Sequence, residues 1–185
     1  QDRYDPGQTA AAYAIYVRAK AGVADPARAR RFADLIATRR PPALTLAFAG
    51  GALAAVGDRA AAGRMFERVA FKGAPPEETR YRLYGSDVRD RALALALMAE
   101  SGAVAWPRLK AEAEALGLAV RRREWLSTQE QAWIVRAAAA LGRSADLAGF
   151  AVSVDGGRVD GVGAGLYRAA VGDAPLPRLV NLGQE

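Results

Sequence analysis

Ser127, Thr128, Gln129, Glu130 and Gln131 stand together ahead of an apolar run, in the stretch REWLSTQEQAWIVRAAAALG over 123–142. Thr128-Gln129-Glu130-Gln131 is one substitution away from Cys-x-Glu-Gln, a pattern that forms internal thioesters. Thr128 supplies a hydroxyl where that reaction needs a thiol, so the thioester reading fails on chemistry. The spacing offers a structural role instead. Ser127-x-x-Glu130 is a capping box, in which the Ser127 hydroxyl accepts from the Glu130 amide and the Glu130 side chain reaches back to the Ser127 amide. Trp125-Leu126, just outside it, read as a hydrophobic staple. Inside, Trp133, Ala137 and Leu141 share one helix face at i, i+4 and i+8. These polar residues are expected to start a helix.

Other residues of suitable type reduce to structure by the same reasoning. Asp87 and Asp90 have the i, i+3 spacing of a metal pair or an acid–base pair, but in a first turn they serve the helix dipole and the cap. Arg89-Asp90-Arg91 reads as charge on an exposed helix face. Glu112 and Glu114 lie on different helix faces and form no constellation. Glu77-Glu78, after Pro75-Pro76, read as a solvated loop or a helix start. Gly50-Gly51 inside an Ala-rich helix costs up to about 1 kcal/mol per glycine relative to Ala, and close helix packing explains it better than approach of a ligand. No catalytic, cofactor-binding or metal-ligating residue is assigned, and no cofactor is expected.

Composition narrows the chemistry further. The 185 residues contain no Cys and no His, which removes disulfides, Cys/His metal sites, thiol nucleophiles and histidine-dependent triads. A net charge of +6 would ordinarily raise nucleic-acid binding. The basic residues argue against it: the lysines are Lys20, Lys72 and Lys110, and the arginines are scattered among acids, most densely at Arg28, Arg30, Arg31 and Arg121 to Arg123. No nucleic-acid partner is expected. No apolar run approaches the roughly 18–20 residues that span a bilayer, so no direct membrane insertion is expected. QDRYDPGQT lacks the features of a signal peptide, and the chain reads as a mature product or an excised piece.

Gly and Pro punctuate the elements that must position these residues. Gln8 to Ala21 carries Tyr13, Tyr16 and Val17 at helical spacing and stops at Gly22. Asp25-Pro26 opens a helix through Phe32, Leu35 and Ile36, ended by Arg39-Arg40-Pro41-Pro42. The next, Ala43 to Val56, stops at Gly57. Asp58 caps a fourth, with Met65, Phe66 and Val69 on its apolar side. Ser86 or Asp87 caps an apolar helix containing Val88, Leu93, Leu95, Leu97 and Met98 and ending at Gly102. Pro107 sits in a first turn before Leu109, Ala113 and Leu116, and the final helix is expected to stop at Gly142. The first interval between glycine stops resembles a tetratricopeptide period, but the later ones drift, which fits a toroid of irregular helical hairpins better. From Gly149 the pattern changes: Phe150 to Val154 alternates, Gly156-Gly157 signals a turn, and Leu179-Val180 reads as another short strand. The division expected is a helical region over 1–146 and a β-rich tail over 147–185, giving a mainly α fold of antiparallel helical hairpins.

WLSTQEQAWIVRAAAAL closely resembles a phrase in the thioester-containing helical domain of bacterial α2-macroglobulins. YGSDVRDRALALALMAESG (84–102) resembles a helix one hairpin earlier in that family. AAYAIYVRAKAG (11–22) and LAAVGDRAAAGRMFE (53–67) are similar to preceding hairpins in the same order, and GAGLYRAAVGDAPLPRLVNLG to the β segment that follows. The resemblance implies the C-terminal part of an α/α-toroid thioester domain, from a periplasmic or envelope-anchored protease inhibitor. The implied partners are proteases, met through the full-length parent, and neighbouring β domains of the same chain. The reactive Cys of that pattern has no counterpart here, so no catalytic residue is carried over and the chain is expected not to be an enzyme. Two rivals are a helical-repeat scaffold holding a peptide in a groove, and an α/α-toroid carbohydrate-active enzyme with two carboxylates converging in a pocket.

Overall fold

Seven helices occupy the described part of the chain's first unit, in a computed structural model that describes residues 6–71 and 86–144 and the backbone of strands 150–154, 157–161 and 179–181. They are α1 (Pro6–Lys20), α2 (Pro26–Ala37), α3 (Ala43–Ala55), α4 (Arg59–Glu67), α5 (Asp87–Ser101), α6 (Trp106–Arg121) and α7 (Thr128–Ser144). The fold is mainly α. Four described starts carry side-chain caps: Asp25 accepts from the Ala27 amide at 2.8 Å, Asp58 from the Ala61 amide at 3.1 Å, Ser86 from the Arg89 amide at 3.0 Å and Ser127 from the Glu130 amide at 3.3 Å. Ser86, rather than Asp87, is therefore the cap of α5.

Glycines end three helices in the left-handed region, with φ of 71° at Gly22, 90° at Gly57 and 60° at Gly102. After Gly57 the Asp58 amide returns to the Leu53 carbonyl at 2.8 Å, closing the last turn of α3. Gly142 departs from the expectation: α7 continues through it to Ser144. The extra turn is held from outside. The Ser144 hydroxyl lies 2.8 Å from the Ala99 carbonyl oxygen of α5 and 2.9 Å from that of Ala140, which offsets the cost of one glycine in a helix.

The odd-numbered helices form a row in which α1 packs on α3, α3 on α5 and α5 on α7, while α2 and α4 flank α3, and α6 flanks α5. Neighbours in the row run parallel. Thr9 and Thr45, near the starts of α1 and α3, are 2.8 Å apart through their hydroxyls, and the starts of α5 and α7 meet through Ser86 and Glu130. The middle of the row is apolar all round. Thr45 to Leu53 of α3 is buried without interruption, as is Ala92 to Ala99 of α5, the pattern of helices surrounded by other helices.

Gly50 and Gly51 let helices approach α3 from two sides. A Cβ on Gly50 would lie 2.9 Å from the Phe66 ring of α4, and one on Gly51 would lie 3.1 Å from the Tyr16 ring of α1. Close packing is therefore the reason for the pair. On α1 only Tyr16 of the expected apolar face is fully buried. Tyr13 and Val17 are about half exposed, at 51% and 44%, although Tyr13 keeps an edge-to-face contact with Phe48 at 5.0 Å. Leu35, on α2, is likewise exposed beside the buried Ile36.

The second unit, 145–185, contains a three-stranded antiparallel sheet in the order β2-β1-β3, with β1 Phe150–Val154, β2 Gly157–Gly161 and β3 Leu179–Asn181. Val154 pairs with Gly157 and Phe150 with Gly161, while Ser153 pairs with Val180 on the other edge of β1. Gly157 is thus the first residue of a strand. Gly156, Pro75, Pro76, Glu77, Glu78 and Lys72 lie outside the described residues, as does the tail sequence between β2 and β3.

Candidate functional site

The capping box forms. The Ser127 amide donates to Glu130 Oε2 at 2.7 Å, and the Glu130 amide lies 3.3 Å from the Ser127 hydroxyl. Thr128, Gln129 and Gln131 are exposed on the first turn of α7, while Glu130 is buried. The staple does not form as expected. Its inner position is Gln131, whose side-chain amide donates to the Leu126 carbonyl at 2.9 Å. Leu126 packs against the core and Trp125 stands in solvent, 75% exposed.

Glu130 does more than cap its own helix. Its Oε1 accepts a 2.5 Å hydrogen bond from the Ser86 hydroxyl, which itself caps α5. One buried carboxylate thus joins the starts of two helices, and the phrases GSDVRD and STQE, 44 residues apart, meet there. Burial raises the Glu130 pKa, but the bonds from Ser86 and Ser127 outweigh it and hold the group below its ordinary value. A carboxylate with both oxygens engaged and a depressed pKa is a poor general base. Neither Ser86 nor Ser127 is positioned as an activated nucleophile. The arrangement anchors helix ends.

A second cluster joins α1, α5 and α7. Arg136 donates to Glu100 through Nε at 2.8 Å and through one terminal nitrogen at 3.0 Å, and that nitrogen also reaches the Tyr16 hydroxyl at 3.1 Å. Lys20 lies 3.6 Å from the same carboxylate, and the Arg136 guanidinium sits 4.9 Å from the Trp133 ring centre. The bond from Arg136 holds the Glu100 pKa down against the opposing effect of burial, while burial pushes Tyr16 up. Arg136 is pushed up by its bond to Glu100. Sequence reasoning missed this network because its members lie 36 and 120 residues apart. The available signal was a single charge inside each of two apolar stretches, Glu100 after ALALALMA and Arg136 within AWIVRAAAAL.

The remaining candidates are engaged locally or with neighbouring elements. Asp87 pairs with Arg123 just beyond the end of α6, and Asp90 with Arg89, whose Nε is 2.8 Å away. Desolvation raises the Asp90 pKa, partly opposed by Arg89. Arg91 donates to the Phe71 carbonyl at 3.0 Å and lies over its ring. Arg89-Asp90-Arg91 is therefore half-buried and not the exposed face that its charge suggested, because α5 is enclosed by its neighbours. Glu112 pairs with Arg108 one turn earlier at 2.8 Å, and Glu114 is exposed. Of the Arg28, Arg30 and Arg31 cluster, Arg30 pairs with Asp58 at 2.7 Å and Arg31 with Asp25 at 3.5 Å. Among the described residues no group of three or more Asp or Glu side chains is placed to hold a metal ion, and no helix is long and apolar enough to cross a membrane.

The chain is similar to Salmonella alpha-2-macroglobulin, whose crystal structure was determined after reaction with methylamine: the TM-score is 0.63 and the identity 25%, over 87% of this chain and 11% of that one. The protein has a bacterial α2-macroglobulin-like fold. No family model matches the sequence, and no curated protein does. The chain spans about a ninth of the Salmonella protein's length. The phrases at 84–102 and 125–141 supply the starts of α5 and α7 that Glu130 joins.

Proposed function

We propose that the chain is a helical part of a bacterial α2-macroglobulin-like protease inhibitor, a part that supports the trap without performing covalent chemistry. The likeness to the Salmonella protein carries this reading. The absence of Cys from the sequence supports its non-covalent half, because a thioester requires a cysteine thiol. The single-carboxylate anchors at Glu130 and Glu100 also favour it over a toroid enzyme, since each carboxylate is bonded to partners that hold helices together. In this reading the parent works in the periplasm or cell envelope, engages proteases, and places β domains beside the helices.

Purified chain incubated with active proteases should yield no adduct that survives boiling in detergent. The full-length parent should reduce the activity of the same proteases toward large protein substrates. A near-stoichiometric covalent adduct of the chain would overturn the non-covalent role. A parent that leaves every tested protease fully active would overturn the inhibitor reading.

A further inference from the structure

A cavity of about 410 Å³ opens where the ends of α5 and α7 meet the starts of α4 and α6. Arg59 and Arg143 line it, with Trp106, Val104 and the buried Leu109 as apolar wall. This volume falls within the range of small-ligand pockets. Glu100 is the acidic group in the lining, and its carboxylate is already taken by the two bonds from Arg136 and by Lys20.

Neither lining arginine's side chain has an ion pair or hydrogen bond to another described residue. Arg143, in the last turn of α7, gains from the negative end of its helix. Arg59 does not. As the first residue of α4 it sits at the positive end of its helix, and the adjacent Asp58 is committed to the Ala61 amide and Arg30. The placement is fixed by packing. Gly63, one turn later on the same face, brings α4 against the Ala103 carbonyl, 3.3 Å from where a Cβ would stand, and so holds Arg59 over the cavity. An anion in the cavity would relieve the unfavourable position of Arg59, and guanidinium groups suit a carboxylate by planar two-point bonding. The apolar wall and Trp106, 46% exposed, would receive an adjacent hydrocarbon side chain.

We infer that this cavity binds an acidic peptide segment, its carboxylate between Arg59 and Arg143 and a neighbouring apolar side chain against Trp106. This binding role is independent of the protease-inhibitor reading. The test titrates the 185-residue chain with the capped tripeptide acetyl-Leu-Asp-Leu-amide, with its Leu-Asn-Leu counterpart and with inorganic phosphate. Calorimetry gives the affinity, and the Trp106 indole N–H resonance reports the site. The expected result is saturable binding of the acidic peptide with a shift at Trp106. Binding should weaken at least tenfold for the Asn peptide and for the Arg59→Gln/Arg143→Gln variant, while Arg122→Gln should match the parent. Urea midpoints of the double variant near the parent's show that it folds; if they fall, Trp106→Ala with both arginines intact should lower affinity severalfold. Absence of saturable binding, equal binding of the Asn peptide, or undiminished affinity in the folded variants would overturn the proposal. Phosphate binding as tightly as the acidic peptide would overturn the peptide assignment.

Discussion

The α1–α3 and α5–α7 junctions are both parallel helix contacts in the same row, yet different forces hold them. At α1–α3 the contact is made by small and aromatic groups: Gly51 receives the Tyr16 ring and Phe48 meets Tyr13 and Tyr16, with Thr9–Thr45 as its hydrogen bond between side chains. At α5–α7 the apolar contact is fastened along its length, by Ser86–Glu130 at the start, Glu100–Arg136 beyond the middle and Ala99–Ser144 at the end. Dispersion and burial tolerate small slides along a helix axis. Hydrogen bonds to buried or half-buried charged groups do not, because each misplaced partner leaves a polar group unsatisfied. The α5–α7 pair therefore has its register fixed chemically, whereas α1–α3 has its register fixed by shape.

Substitution at the glycines should separate the two regimes most strongly. Gly50→Leu forces a side chain into the Phe66 ring and Gly51→Leu one into the Tyr16 ring. Each should destabilise the chain by about 3 kcal/mol, the upper part of the overpacking range. The loss should be nearly the same at low and high salt, as measured by urea midpoints. A strong salt dependence would mean that the glycines protect charge contacts instead of shape.

A smaller loss is expected at Arg136→Met, which keeps the apolar stem and removes the guanidinium. Glu100 would then lose both short bonds, at a cost of about 1–2 kcal/mol, below the buried-pair range because the Arg136 side chain is 38% exposed. Acid should have a related effect. The Glu100 pKa is depressed on folding, so its contribution is full above the unfolded value and lost as pH falls through the folded one. Glu130 acts with the same sign, and Asp90, whose pKa is raised, with the opposite sign. Between about pH 6 and about pH 3 the parent should lose more stability than Glu100→Gln. Parallel pH curves would remove Glu100 from the account.

Ser127→Ala should have the mildest effect, about 1 kcal/mol for one N-cap, since Glu130 keeps its bond from Ser86. Identical denaturant midpoints for variant and parent would show that Ser127 does not cap α7.

How much of this was legible in the sequence depended on chemical range. The capping box at Ser127 and Glu130, the Asp25 and Asp58 caps, and the stops at Gly22, Gly57 and Gly102 are local, and local rules found them. Gly50-Gly51 was readable as a packing device because two glycines in an Ala-rich helix have few other uses. Gly142 misled because the bond from Ser144 that carries α7 past it belongs to another helix. The exposure expected for Arg89-Asp90-Arg91 failed because tertiary neighbours enclose it, whereas the staple expected at Trp125-Leu126 failed locally, because its inner position is the polar Gln131. Glu130 was recognised as a capping residue, and Ser86 as one of two candidates beside Asp87. Nothing in the spacing of either revealed that they cap together.

That joint is the central claim, and a double-mutant cycle tests it directly. Ser86→Ala, Glu130→Ala and the double variant would be unfolded in urea beside the parent. If one carboxylate ties the two helix starts, the double variant should be more stable than the sum of the single losses implies, with a coupling of about 1 kcal/mol or more. Additivity within about 0.3 kcal/mol would contradict the joint and leave α5 and α7 as two separately capped helices.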